Sequence, residues 1–241
     1  MRTRRAATRL RTESRALRRP GAAPRVVPFS RNPLLRRVVA LYAAIWLALA
    51  IAPKYRSDWL LENLLVFGFA GALVATHRRF VLSNFSYVLI GAFLSLHAVG
   101  AWSTYAEAPV GFWLARLFDF DRNPYDRVVH FAFGLLLAYP VREIVLRRLR
   151  AGPVSAFLVP LFAMIAFSGA YEIVESWVAR IVSPDLGTAW LGTQGDDWDA
   201  QKDMNLAMVG ALISLSFAEL HRRVTGRELW CRLEPPAPQP A

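Results

Sequence analysis

A single cysteine, Cys231, stands in 241 residues. That excludes an intrachain disulfide and any CxxC metal clip. Acidic residues are also scarce: 18 Asp and Glu face 29 Lys and Arg, leaving a net charge of +11. The excess does not point to nucleic acid, because aromatic residues are not interleaved with the bases as stacking would require. No HExxH or comparable local metal motif occurs. The halves 34–103 and 126–219 do not resemble each other, so the inverted repeat of many transporters is missing. The ten-residue alternating segments of a membrane β-barrel are missing too. No small-residue cleavage site follows the first apolar run, which is therefore expected to be a retained helix and not a removed signal peptide.

What the chain does have is length of apolar run. Hydrophobic residues make up 55% of it and its mean hydropathy is +0.29. A spanning helix needs ~20 apolar residues to cross ~30 Å of hydrocarbon. Six stretches qualify, at about 34–52, 59–76, 81–103, 126–146, 154–178 and 199–219. Charge sorts across them. The segments 1–37, 77–79, 142–150 and 219–241 hold 22 of the 29 bases but 5 of the 18 acids. Basic loops stay in the cytoplasm. The pattern predicts an all-α polytopic membrane bundle of about six helices, with both termini cytoplasmic. Its partners are the lipid bilayer and, through the basic segments, anionic lipid headgroups at the cytoplasmic face.

The domain plan follows: an Arg-rich tail over 1–33, read as disordered for want of apolar periodicity, a membrane domain over 34–220, and a Pro-rich cytoplasmic tail over 221–241. Two longer outer loops are expected, Tyr105–Tyr125 and Ile181–Trp198. Pro140 and Pro160 fall inside the fourth and fifth apolar helices, where proline removes a backbone hydrogen bond and favours a kink.

Ionisable residues gather near the outer ends of the helices. His97 lies seventeen residues beyond Phe80, about 25 Å along its helix. Asp126 and His130 are four apart and share a face. Glu172 and Glu175 sit late in the fifth helix, with Ser168 one turn deeper, and Asp199 and Asp203 open the sixth. Glu62 lies near the start of the second. His97, His130, Glu172 and Asp203 thus reach similar depth. Ionisable groups there cost ~2.5–3.5 kcal/mol each, so several at one level suggest a shared site. Bland readings compete with this. Asp126 follows Asn123-Pro124 and suits a helix N-terminus, as do Asp196, Asp197 and Asp199. Glu175 suits an exposed interfacial position, and His97 a polar contact between helices. Glu172 is harder to dismiss, being a carboxylate near a helix C-terminus with no base closer than Arg180. The candidate metal ligands are His97, Asp126, His130, Glu172, Asp199 and Asp203, with Glu172 and Asp203 as candidate catalytic residues. Such a set suits a divalent ion, Zn²⁺, Mn²⁺ or Fe²⁺, which lowers the pKa of bound water towards ~7. It equally suits metal-free acid–base chemistry.

Four motifs carry a resemblance: RNPYDRVVHFAFGLLLAYPVRE within Trp113–Glu143, His97-Ala98-Val99-Gly100, YEIVESW at 171–177 and GTQGDDWDAQKDM at 192–204. Over roughly 35–220 the chain resembles the YjdF family of bacterial inner-membrane proteins. That implies the membrane class and no particular reaction. More distantly, DRVVHF, the following Glu and the Asp-then-Gly final helix resemble VanZ-type membrane proteins, which are associated with glycopeptide resistance. Asp203 and Gly210 match that final pattern, and Ala207 stands where it has Asn. The functions in view are a metal-assisted hydrolase of an envelope or lipid-linked substrate, an ion-coupled carrier, and a non-catalytic envelope protein. The charges lie towards one face and not at mid-membrane, which favours the first over the second.

Overall fold

The computed structural model describes residues 27–181 and 193–233. The expected disorder of 1–26 and of 234–241, and the middle of the second outer loop, lie outside these residues. Seven α-helices are described: α1 (Pro33–Ala50), α2 (Arg56–His77), α3 (Asn84–Ser103), α4 (Pro109–Phe118), α5 (Tyr125–Arg147), α6 (Pro153–Ile181) and α7 (Asp199–Thr225). All but α4 are long and apolar enough to cross a membrane, and together they are the six expected spans. Their outward faces are apolar: Leu41, Val74, Phe162 and Phe217 are 59–75% exposed. A helix apolar on its outward face as well as towards its neighbours is one solvated by hydrocarbon. Assigned helix continues through Pro140 in α5 and Pro160 in α6, both buried.

Helix α5 is the hub, packed against α3, α6 and, most extensively, α7. The α5–α7 contact is close because glycine sits on both sides of it. A Cβ on Gly134 would stand 1.8 Å from the Ala207 carbonyl oxygen, and one on Gly210 would stand 2.2 Å from that of Phe131. Small residues let membrane helices approach in this way, and van der Waals contact then replaces the missing hydrophobic drive. Helices α1 and α2 lie further out, joined by Trp46 Nε1 donating to Asn63 Oδ1 at 2.6 Å. The α1–α2 turn is tied to the end of α3: Trp102 Nε1 donates to the Ala52 carbonyl, and the Lys54 N–H to that of Trp102. Alternation of the spans then puts the start of α2, the end of α3, the start of α5, the end of α6 and the start of α7 at one end of the bundle.

The first expected loop is a helix in its middle. Pro109 occupies the first position of α4, and Asp119, with φ +56°, ends it in a left-handed cap. Its Phe112, Trp113, Leu117 and Phe118 are exposed. A short helix with aromatic and aliphatic side chains on an open face suits the membrane–water boundary.

Both tail boundaries need correction. Within 1–33, Phe29–Arg31 form a 3-10 turn, and buried Asn32 donates to Asn84 Oδ1 at 2.7 Å while its own Oδ1 caps α1 through the Leu35 N–H. Within 221–241, α7 runs on to Thr225, Gly226 turns the chain with φ +68°, and a 3-10 turn spans Leu229–Arg232. Trp230 is buried there, its N–H donating to Tyr139 Oη at 3.0 Å. Arg142, with no exposed side-chain surface, donates to Glu228 at 3.0 Å and to Glu219 at 3.1 Å. These long-range partners hold segments that local composition leaves without structure.

Candidate functional site

The start of α5 is set by its neighbours. Asn123 Oδ1 accepts the Tyr125 N–H, and its amide donates to the Ala108 carbonyl, both at 3.0 Å. Gln194 and the Asn123 backbone exchange two further bonds at 3.0 Å. Pro124 holds the cap position and itself offers no side-chain cap. Asp126 does not cap it through a side-chain hydrogen bond. Its Oδ1 lies 3.6 Å from His130 Nε2, one turn on.

His130 is the centre of the site. Its Nδ1 meets the Ser168 hydroxyl at 3.4 Å, and its Nε2 faces Asp126 Oδ1 and Glu172 Oε1, each at 3.6 Å. His130 and Glu172, expected at similar depth, thus lie within bridging distance of each other. Asp203, on α7, completes the group. One donor atom from each of Asp126, His130 and Asp203 lies within 4.8 Å of the others, and all three residues are buried. Asp203 is 2% exposed, and its Oδ1 has no hydrogen-bond partner among the described residues, nor has Glu172 Oε1. Carboxylate oxygens buried without donors are costly unless something else neutralises them. Four donors around one ion at ~2.1 Å stand ~3.4 Å apart in a tetrahedron. The 3.6 Å from His130 Nε2 to Asp126 Oδ1 and to Glu172 Oε1 is close to that spacing, and the Asp203 donor lies within 4.8 Å. The set of imidazole and carboxylates suits Zn²⁺, Mn²⁺ or Fe²⁺. Ser168, 3.4 Å from His130 Nδ1, is placed to orient the imidazole were Nε2 to bind an ion.

A second polar cluster adjoins the first. Tyr171 Oη donates to Glu62 Oε2 at 3.0 Å, and His97 Nε2 lies 3.8 Å from the same oxygen. Tyr105 Oη and His97 Nδ1 are 2.6 Å apart. Burial pushes the Tyr105 phenol well above its ordinary range, and the neighbouring carboxylates Glu62, Asp126 and Glu175 push the same way. Asp58 is buried one turn before Glu62.

A cationic rim closes this end of the bundle. Asp199 receives Arg122 Nη1 at 2.5 Å and Arg127 Nη2 at 3.4 Å. Asp196 binds Lys202 at 2.6 Å and Arg127 at 2.5 Å. Hydrogen bonds from Lys202 lead the causes that hold the Asp196 carboxyl down at about 2.

Of the residues picked out from sequence, the structure brings Asp126, His130, Glu172 and Asp203 together. His97 lies outside the group of three and pairs with Glu62 and Tyr105. Asp199 is engaged by two arginines. Glu175, expected at an exposed interface, is 8% exposed. Glu62 proves to be a cluster member, not a boundary residue. Tyr105, in the 3-10 turn after α3, and Tyr171, in α6, were not read as site residues, since a tyrosine carries no signal until its hydroxyl finds a partner such as His97 or Glu62.

Comparison with known proteins places the chain. The family described as "Predicted membrane protein (DUF2238)" matches residues 34–223. The "Inner membrane protein YjdF" of Escherichia coli (strain K12) is 38% identical over 196 residues, covering 80% of this chain and 93% of that protein. No solved structure matches.

Proposed function

The chain belongs to the DUF2238 family of membrane proteins, and from that premise we propose that its buried His/carboxylate site is a divalent-cation centre. It serves hydrolysis of an envelope or lipid-linked substrate at the outer face of the inner membrane. Asp126, His130 and Asp203 would hold the ion, a three-ligand set of the kind catalytic sites use. The ion supplies Lewis-acid polarisation and lowers the pKa of water towards ~7. Glu172, 3.6 Å from His130 Nε2, is the general base. It takes a proton from the attacking water as that oxygen bonds to the ester's carbonyl carbon or phosphorus. It returns the proton to the departing alcohol oxygen as the old bond breaks.

The observation that carries this reading is the convergence of Asp126, His130 and Asp203 donor atoms within 4.8 Å, from helices separate in sequence. Hydrolysis is favoured over transport by the other end of the bundle, where Arg142, Glu228 and Trp230 pack with little or no exposed surface. A carrier must open that end in each cycle.

Metal analysis of the purified full chain tests the reading. After exposure to Zn²⁺ or Mn²⁺ and removal of excess, the wild type should retain one ion per chain. Asp203→Asn and His130→Ala should lower that content about tenfold, the upper range for a lost ligand contact being larger still. Glu172→Gln should keep the fold and abolish complementation of any loss-of-function phenotype. A wild type that retains no divalent metal sinks the proposal.

A further inference from the structure

A groove of about 430 Å³ runs between α6 and α7, with Ile165, Gly169, Ala170, Ile173 and Met204 among its walls. Glu172 belongs to the same lining, and its buried Oε1 stands 3.6 Å from His130 Nε2 behind it. The flank is open to hydrocarbon, with Phe167 and Ile173 more than half exposed. Gly169 keeps the groove hollow where the helices meet, since a Cβ there would lie 3.2 Å from Met204 Sδ.

The groove's length decides between occupants. Its α6 wall runs from Ile165 to Ser176, eleven residues or about 16 Å at 1.5 Å each, half the ~30 Å of hydrocarbon. A spanning helix of a second chain would cover the full thickness. A lipid chain covers one leaflet. The groove's apolar walls suit an acyl chain, and Glu172 leads from them to the cation centre proposed above, which would take a phosphate head.

We infer that this groove is a lateral port for a glycerophospholipid of the leaflet at the site end, its acyl chain between α6 and α7 and its phosphate head beside His130 and Asp203. The placement of the head rests on the cation-centre reading, whereas that of the chain does not. The port names the substrate class of the site and explains how a buried centre meets it without opening to water.

The full chain in nanodiscs of phosphatidylethanolamine and phosphatidylglycerol, with a trace of phospholipid carrying a diazirine on its acyl chain, provides the test. After illumination, lipid adducts are mapped by mass spectrometry and compared with those at Val74, an exposed α2 residue. Adducts should concentrate at Ile173 and Met204. Ala170→Trp places bulk in the groove from an exposed position and should lower them about tenfold, a loss of ~1.4 kcal/mol in occupancy, with metal content unchanged. Asp203→Asn should lower metal content and leave the acyl adducts in place. A wild type with groove adducts but no metal upholds the port and removes the cation centre. Adducts spread evenly over Val74 and the groove, adducts indifferent to Ala170→Trp, or coupling of a photoreactive residue at position 173 to a second copy of the chain would each overturn the port.

Discussion

The carboxylate of Glu143 on α5 accepts the Ser83 N–H at 2.8 Å and the Ser83 hydroxyl at 2.7 Å, sixty residues away in sequence. Ser86 Oγ donates to it at 2.5 Å, and Arg147 forms an ion pair with it. Ser83 is also the residue that caps α3, accepting the Ser86 N–H. Glu143 thus anchors the start of α3 to α5 while having no exposed surface. From sequence alone, its place among Arg142, Arg147 and Arg148 suggests an exposed pair contributing ~0–1 kcal/mol. The structure corrects that. Glu143→Gln leaves Arg147 without its charge partner and brings an amide among donors. It should cost ~3 kcal/mol, the lower end for breaking a buried pair. Unfolding of the full chain in detergent, followed by denaturant titration, measures it. A change within ~0.5 kcal/mol would place Glu143 with ordinary surface positions.

Gly134 and Gly210 should tolerate no side chain. A Cβ on Gly134 meets backbone atoms of Ala207, which cannot rotate away. Gly134→Ala should therefore push α5 from α7, cost ~1–3 kcal/mol and weaken metal retention, since His130 and Asp203 lie on these two helices. Gly68→Ala on α2 provides the contrast. Nothing lies within 4 Å of its Cβ position, and alanine is the better helix former, so stability should hold or rise. Parallel metal analysis and thermal unfolding of both variants decide it. Equal behaviour of the two would show that the close approach of α5 and α7 is not essential.

Sorting of 22 of 29 bases to one side predicts cytoplasmic termini and a site at the outer face. A phosphatase reporter fused after Ala241 should stay inactive and a fluorescent protein there should mature. A phosphatase inserted within the turn at Gly195 should be active. Phosphatase activity at the C-terminus would invert the map and carry the site to the cytoplasmic face.

The six spans were legible in the sequence because hydrophobic length is a local property. A run such as Val38–Ala50 must be a helix in lipid, whatever surrounds it, as its backbone groups have no other partners. Similar depth for His130, Glu172 and Asp203 was legible too, because each residue advances a helix by a fixed ~1.5 Å. Depth does not fix rotation. Which faces turn towards each other depends on the Gly134 and Gly210 contact, and that packing brings Asp203 to Asp126 and His130 while Arg122 and Arg127 take Asp199. The partners of Glu143, Asn32 and Trp230 were hidden for the same reason. Ser83, Asn84 and Tyr139 lie tens of residues away from them, so no local composition signals the pairing. The sequence by itself determined where this chain meets the bilayer and at what depth its charges sit. Only tertiary packing decided which charges share a site, because convergence depends on how helices rotate and touch, and no single helix carries that information.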